Sequence, residues 1–371
     1  MRVRHGRRYS IAAGLAAFAL ALAACSSSSN NGSSSSSGGA NVNDGFKIGL
    51  LLPESKTARY EAFDRPYIEG KLKQLCPKCQ VLYQNADQDS AKQQSQAESM
   101  LTQGVKVLIL DPVDAKAAGG IVTSANNQKV PVVSYDRLAN GPIKYYVSFD
   151  NHQVGVVQGQ ALLQAVSAGG DPKRGQIVMI DGSPTDPNAA DFKAGAHSVL
   201  DGKVNIGKEY DTPDWSPDKA QQEMDQAITA LGAKQIIGVY AANDGTAGGA
   251  VASMKGAGFG TIPPVTGQDA ELAGIQRIVA GEQYMTVYKA IKPEAENAAQ
   301  MAVDAATGKN FSGQTTKKNN GTVDATAVLL QPVPVTKSNI KDTVIKDGFY
   351  TVQQICTPQF AQACAAAGLT G

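Results

Sequence analysis

Aromatic side chains make up only 6% of the 371 residues, and tryptophan occurs once. Neither sign of charge dominates: 34 Lys and Arg stand against 33 Asp and Glu, a formal charge of +1. That balance excludes the basic surplus a dedicated nucleic-acid binder carries. Histidine is nearly missing, and beyond the first 24 residues only His152 and His197 remain. With no Gly-x-Ser-x-Gly motif and no cluster of metal ligands, the chain reads as a non-enzyme that needs no metal or cofactor. The 42% of hydrophobic residues is ample for a buried core, so the shortage of charge and rings does not signal disorder.

The charge total mixes two unlike parts. Residues 1–24 hold Arg2, Arg4, Arg7 and Arg8, no acid, and an apolar run over 11–24. The run is shorter than the roughly 20 residues a membrane span needs and ends in small residues, as an export signal does. Leu22-Ala23-Ala24-Cys25 resembles the lipobox of bacterial lipoproteins, which implies lipid on Cys25 and a chain held at the outer face of the cell membrane. Residues 25–45 are rich in Ser and Gly and read as a flexible tether. Without the leader, thirty basic residues face thirty-three acidic ones, and the net charge becomes −3. Four cysteines remain. Cys76-x-x-Cys79 could form a zinc half-site or a redox motif, but its zinc partners would lie near the far end of the chain and it follows a helix instead of opening one. Two local disulfides, Cys76–Cys79 and Cys356–Cys364, are expected for an exported protein, each contributing about 2–3 kcal/mol in the chain-entropy model.

From residue 46 short apolar strands alternate with amphipathic helices. Strands are expected over 47–52, 81–84, 107–110 and 130–135, with helices over 59–75, 91–103 and 115–128 between them. A second half repeats the pattern, with strands over 176–180, 204–207, 236–240, 264–267 and 283–287 and helices over 154–167, 188–200, 220–231, 247–256 and 272–280. Continuous apolar strands separated by helices imply parallel sheets covered on both faces. Two doubly wound α/β lobes in tandem place ligands beyond the carboxyl ends of their strands. Those ends carry Asp136-Arg137, Asn243-Asp244, Gln268-Asp269 and Lys289, with Tyr60, Phe192 and Trp215 nearby. Carboxylates, amides and cations that can bond several hydroxyls, beside rings that can stack on a sugar face, suit a polyhydroxylated small molecule. Asp136 with Asp269 could be imagined as a glycosidase pair, yet Arg, Lys and Asn as direct partners suit holding a sugar rather than cleaving one.

Tyr135-Asp136-Arg137, the stretches 147–151, 243–250 and 267–275, Met285-Thr286-Val287-Tyr288-Lys289, and the stretch 339–349 resemble the D-xylose-binding proteins of ABC importers, over about residues 46–350. The resemblance implies the type I periplasmic-binding-protein fold: two lobes, 46–149 plus 289–331 and 150–288 plus 332–350, joined by a three-crossover hinge and followed by an extension, 351–371. It implies a monomer that closes over a monosaccharide, D-xylose or a related aldose, and delivers it to a membrane permease, with no role for nucleic acid. The ligand contacts it implies are Arg59, Tyr60, Asp136, Arg137, Asn188, Trp215, Asn243, Asp269 and Lys289. Tyr60 stands where the family has Trp, Lys193 where it has Arg, and the loop 53–58 differs almost throughout, departures that bear on sugar identity rather than class. On this reading Arg137→Ala abolishes sugar binding and leaves the melting of the unliganded protein nearly unchanged.

Overall fold

The computed structural model describes residues 39–369. The expected leader and the lipidation site Cys25 lie outside the described residues. The first sheet collects β1 (Lys47–Leu52), β2 (Gln80–Asn85), β3 (Val107–Leu110), β4 (Val132–Tyr135) and β5 (Tyr145–Phe149) in the order β5-β4-β3-β1-β2, all parallel. Its helices are α1 (Arg65–Leu75), α2 (Ser90–Thr102) and α3 (Ala118–Asn127). The second sheet follows α4 (Asn151–Ala168) and holds β6 (Gln176–Asp181), β7 (Ile206–Asp211) and β8 (Ile236–Ala241), with α5 (Pro187–Leu200), α6 (Pro217–Leu231) and α7 (Asp244–Gly256). Residues 265–269 run beside β8, through a parallel bridge from Val239 to Val265, and beside β9 (Met285–Tyr288) after α8 (Leu272–Ala280). The chain then returns to the first sheet through α9 (Ile291–Ala306), β10 (Thr316–Asn319) and β11 (Asp324–Leu330), where β11 lies parallel to β5. It leaves again for β12 (Val333–Thr336), antiparallel to β9. Three passages, at 149–151, 288–291 and 330–333, therefore connect the sheets.

Burial explains the layering. Leu50, Leu52, Ile109 and Val147 pack under α1 and α9, while Leu51, Leu108, Leu110 and Val132 pack under α2 and α3, so every strand of this sheet interior is apolar on both faces. The second sheet is sandwiched the same way, Ile177 and Met179 under α4 and α5, Val178 and Ile180 under α6 and α7. Helices α4 and α5 cross with almost no space between them. A Cβ on Gly155 would lie 1.9 Å from the Phe192 carbonyl oxygen, and one on Gly195 would lie 2.1 Å from that of His152. The last segment, with α10 (Val352–Ile355), α11 (Ala361–Ala366) and the disulfide Cys356–Cys364, packs against α8 through Ile340, Val344, Ile355 and Leu369. Cys76 and Cys79 are also joined.

Several expectations shift. The helix over 59–75 divides into a π-helical turn, Tyr60–Asp64, and α1, because Pro66 sits at a helix start. The strand over 204–207 moves to Ile206–Asp211, an edge strand whose exposed Lys208 and Glu209 hid it among polar residues. β5, α9, β10, β11 and β12 carry no expectation at all, since they belong to the returns between the sheets.

Candidate ligand-binding site

The carboxyl ends of both sheets face one narrow, half-open cleft with only about 20 Å³ of water-accessible space. All nine sequence-derived candidates line it: Arg59, Tyr60, Asp136, Arg137, Asn188, Trp215, Asn243, Asp269 and Lys289. Thr57, Asp186, Phe192 and Gln268 complete the lining.

Two aspartates hold the site's backbone in matching ways. Asp136 follows β4 with φ +52°, its N–H donating to Val147 O at 2.9 Å; Asp269 follows the 265–267 segment with φ +86°, its N–H donating to Val287 O at 2.9 Å. Trp215 is also left-handed, at φ +53°. Such conformations cost of order 1–3 kcal/mol each and persist where surrounding structure imposes them. Here they turn side chains from the strand direction into the cavity. Asn243 shows both of its possible roles at once, since it caps α7 by accepting from Thr246 N at 2.8 Å and still lines the cavity. Asp186 caps α5 in the same way, accepting from Asn188 N at 2.8 Å.

The first-sheet wall is an ion network. Arg59 donates to both oxygens of Asp64, at 2.6 and 3.0 Å, and to Glu294 at 2.6 Å, and it reaches Asp136 at 3.3 Å. Tyr135 also donates to Asp64. Tyr60 donates to Asp136 at 3.0 Å and accepts from Arg137 at 3.3 Å. Burial alone would raise the Asp136 pKa, but Arg59, Lys289 and Arg137 outweigh it and hold the carboxyl below its usual range. Arg59 is likewise pulled down by burial and raised more by Asp136, Asp64 and Glu294. Arg137 lies 2.9 Å from Asp186 across the cavity, with Asp111 at 3.7 Å and Glu54 at 3.9 Å behind it. This overturns the expectation that Arg137→Ala leaves the unliganded protein's melting unchanged: the side chain is buried, and removing it strands three buried carboxylates.

The second-sheet wall is more neutral. Asn188 donates across the cavity to Asp136 O at 3.1 Å. Trp215 donates from Nε1 to Asp186 at 3.0 Å and meets Phe192 edge to face at 6.3 Å. It seats directly on Gly182, where a Cβ would lie 2.1 Å from the indole. Lys289 stands 2.9 Å from Asp269 and within 6 Å of the rings of Phe149 and Phe192. Gln268 Oε1 is buried with no hydrogen-bond partner among the described residues, and Asp269 Oδ1 has only the Lys289 ammonium beside it. Such atoms suit donors from a ligand. The lining members without a forecast role, Thr57 and Asp186, precede their elements in loops, where neither periodicity nor a strand end marked them.

Fold and site together define a two-lobed α/β binding protein that encloses a small polar ligand between two parallel sheets. A family model for the periplasmic binding protein domain matches residues 48–310, and the chain belongs to the periplasmic binding protein family. It is 38% identical to the D-xylose-binding periplasmic protein of Escherichia coli strain K12, over 83% of this chain and 92% of that one. It is 36% identical to the multiple sugar-binding periplasmic protein SbpA of Azospirillum brasilense, over 73% and 81%. Among solved structures, an ABC transporter solute binding protein from Clostridium phytofermentans with bound β-D-glucose is similar at a TM-score of 0.77 and 28% identity, covering 83% of this chain and 99% of that one. The family is one of substrate-binding proteins. No helix among the described residues is long and apolar enough to cross a membrane.

Proposed function

We propose that this chain is an extracytoplasmic monosaccharide-binding protein of an ABC importer, taking D-xylose or a related aldose. The observation that carries the reading is convergence: nine residues chosen on sequence pattern and resemblance line a single cleft between the sheets. In the proposed roles, Arg59, Asp136, Arg137, Asn188, Asn243, Asp269 and Lys289 bond hydroxyls and the ring oxygen, while Tyr60 and Trp215 flank the sugar ring. The lobes are 46–149 plus 289–331 and 150–288 plus 332–350, and the mobile joint is the trio of passages between them. A sugar touching both walls favours the closed form by its differential affinity for it, and the closed surface is what a permease engages. Residues 1–24 serve as the leader, and lipid on Cys25 anchors a monomeric body that is not an enzyme.

Titration calorimetry against xylose, ribose, arabinose, glucose and galactose tests this. One or two sugars should bind and raise the melting temperature by several degrees, following RT ln(1 + [L]/Kd); silence from all five sinks the sugar reading. A receptor that presents the sugar to a membrane sensor would bind identically. Deleting the permease separates the two roles, because uptake fails only for a transport component.

A further inference from the structure

The residues just before the strands of the first sheet share a chemistry that sugar binding does not use. Lys144 precedes β5, Lys129 precedes β4, Lys106 precedes β3, Lys47 opens β1, and Lys78 precedes β2. In the sheet order β5-β4-β3-β1-β2 they form one row. With strands about 4.8 Å apart the row spans about 20 Å. Lys309, just past α9, joins the same edge. The segments entering this edge, 39–47, 76–80, 103–107, 128–132, 141–145, 307–313 and 320–324, the last leading into β11, hold these six lysines and two acids, Asp44 and Asp324. Lys47 is half-buried and the other five are exposed, and none makes an ion pair within 4.0 Å among the described residues.

Two comparisons remove the bland explanation. Helix carboxyl ends also point to this edge, and their partial negative charge favours a lysine in a last turn. The second sheet has the same geometry, yet its entering segments, 169–176, 201–206, 232–236, 257–265 and 281–285, hold four basic residues against three acids. The opposite edge of the first sheet holds seven acids and four basic residues in 53–59, 86–89, 111–116, 136–137 and 150. The first lobe is thus polarised, +4 at its base and −3 at the cavity end, in a chain that is −3 without its first 24 residues.

The chain enters the folded body at this basic edge. Ala40 N donates to Ala306 O at 2.8 Å, and Gly39 lies so close to the end of α9 that a Cβ would stand 2.3 Å from Thr307 O. We infer that the base of the first lobe is a membrane-docking surface whose lysine row seats on anionic phospholipid headgroups. This extends the anchored reading: a tether rising from the lipid at Cys25 brings this edge, and not the cavity, to the bilayer. A single acyl chain holds weakly, and a basic patch is the kind of second signal that makes attachment persistent. Each lysine at an anionic surface contributes a few-fold in affinity.

The test uses the chain from residue 25 onward carrying Cys25→Ala, so that neither an acyl chain nor the basic apolar leader contributes, in co-sedimentation with vesicles of phosphatidylcholine containing about 30% phosphatidylglycerol. Binding is expected, weakening steeply as salt rises and screening shortens. In that background Lys106→Glu/Lys129→Glu/Lys144→Glu should reduce binding about a hundredfold, while Lys173→Glu/Lys203→Glu/Lys234→Glu at the other lobe's base changes it little. Retained sugar binding by calorimetry shows that each variant folds. No binding by the parent chain, or equal loss in both triple variants, overturns the docking surface. Either result leaves anchoring untouched, because lipid on Cys25 of the unaltered chain is read separately by mass.

Discussion

The strand ends of the two sheets carry similar residue types and use them differently. On the first sheet, Glu54, Asp111 and Asp136 face the arginines: Arg137 stands within 4 Å of Glu54 and Asp111, and Arg59 reaches Asp136. On the second sheet, Asp244 accepts from Gln283, Thr286 and the Glu271 backbone, and Asp269 has a single lysine. Guanidinium binds carboxylates through a rigid planar fork, so the first wall is fixed before any ligand arrives. The second wall, of amides, rings and one flexible ammonium, can adjust to the ligand's hydroxyls. A closing site gains from that asymmetry: one wall presents a template and the other completes it.

The largest expected effect breaks the first wall. Arg137→Ala leaves Asp186, Asp111 and Glu54 buried without their cation, and uncompensated buried charge of this kind costs about 3–5 kcal/mol. Sugar binding should vanish and the melting temperature of the unliganded protein should fall together. Unchanged melting by differential scanning calorimetry would mean that the network relaxes and the first wall is no more rigid than the second. Asp269→Asn is the matching change on the second wall. It keeps shape and an acceptor oxygen but leaves buried Lys289 without its ion-pair partner, so affinity should drop about tenfold to hundredfold and melting should fall, by less than in Arg137→Ala, which strands three carboxylates and not one ammonium. If both substitutions shift melting equally, the contrast between the walls fails.

How much of this was legible in the sequence follows the same division. Asp136, Asn243, Asp269 and Lys289 stand immediately after apolar strands, and a short-range pattern is enough to place them. The network that fixes Arg59 is not short-range: Glu294 lies 235 positions away on α9, and only the third dimension brings it to 2.6 Å. Asp186 looked like any residue before a helix, and it is a cap, yet the same carboxylate also holds Arg137 and Trp215. The strands β10 and β11 escaped because they follow a return to the first sheet, and β12 because it follows the passage back to β9, neither of which alternation of strand and helix announces. Motif resemblance pointed to the cleft-lining positions further than periodicity could, but it gave no warning that Arg137 holds the buried carboxylates Glu54, Asp111 and Asp186.

The smallest effect sharpens the comparison through pH. Asp181 ends β6, and its carboxylate is buried, which raises its pKa; Lys193, at 3.1 Å, offsets only part of this, and the result is about 7. Asp136 on the other sheet goes the opposite way, held low by Arg59, Lys289 and Arg137 against its burial. In the unfolded chain both aspartates lose their protons near 3.8. Between about pH 4 and pH 7 the folded protein therefore keeps a proton on Asp181 that the unfolded chain has released, and stability declines as pH rises through that window and levels off above it. Asp136 behaves in reverse: its contribution is present above about pH 4 and is lost as pH falls from there through its depressed folded value. Asp181→Asn removes the titrating group while keeping an acceptor for Lys193. The variant's stability relative to the parent should thus increase from pH 5 to pH 8, by on the order of 1 kcal/mol, measured by urea unfolding at each pH. A parallel pH dependence in parent and variant would show Asp181 ionised in the fold, and the second sheet's carboxylates would then be as firmly cation-paired as those of the first.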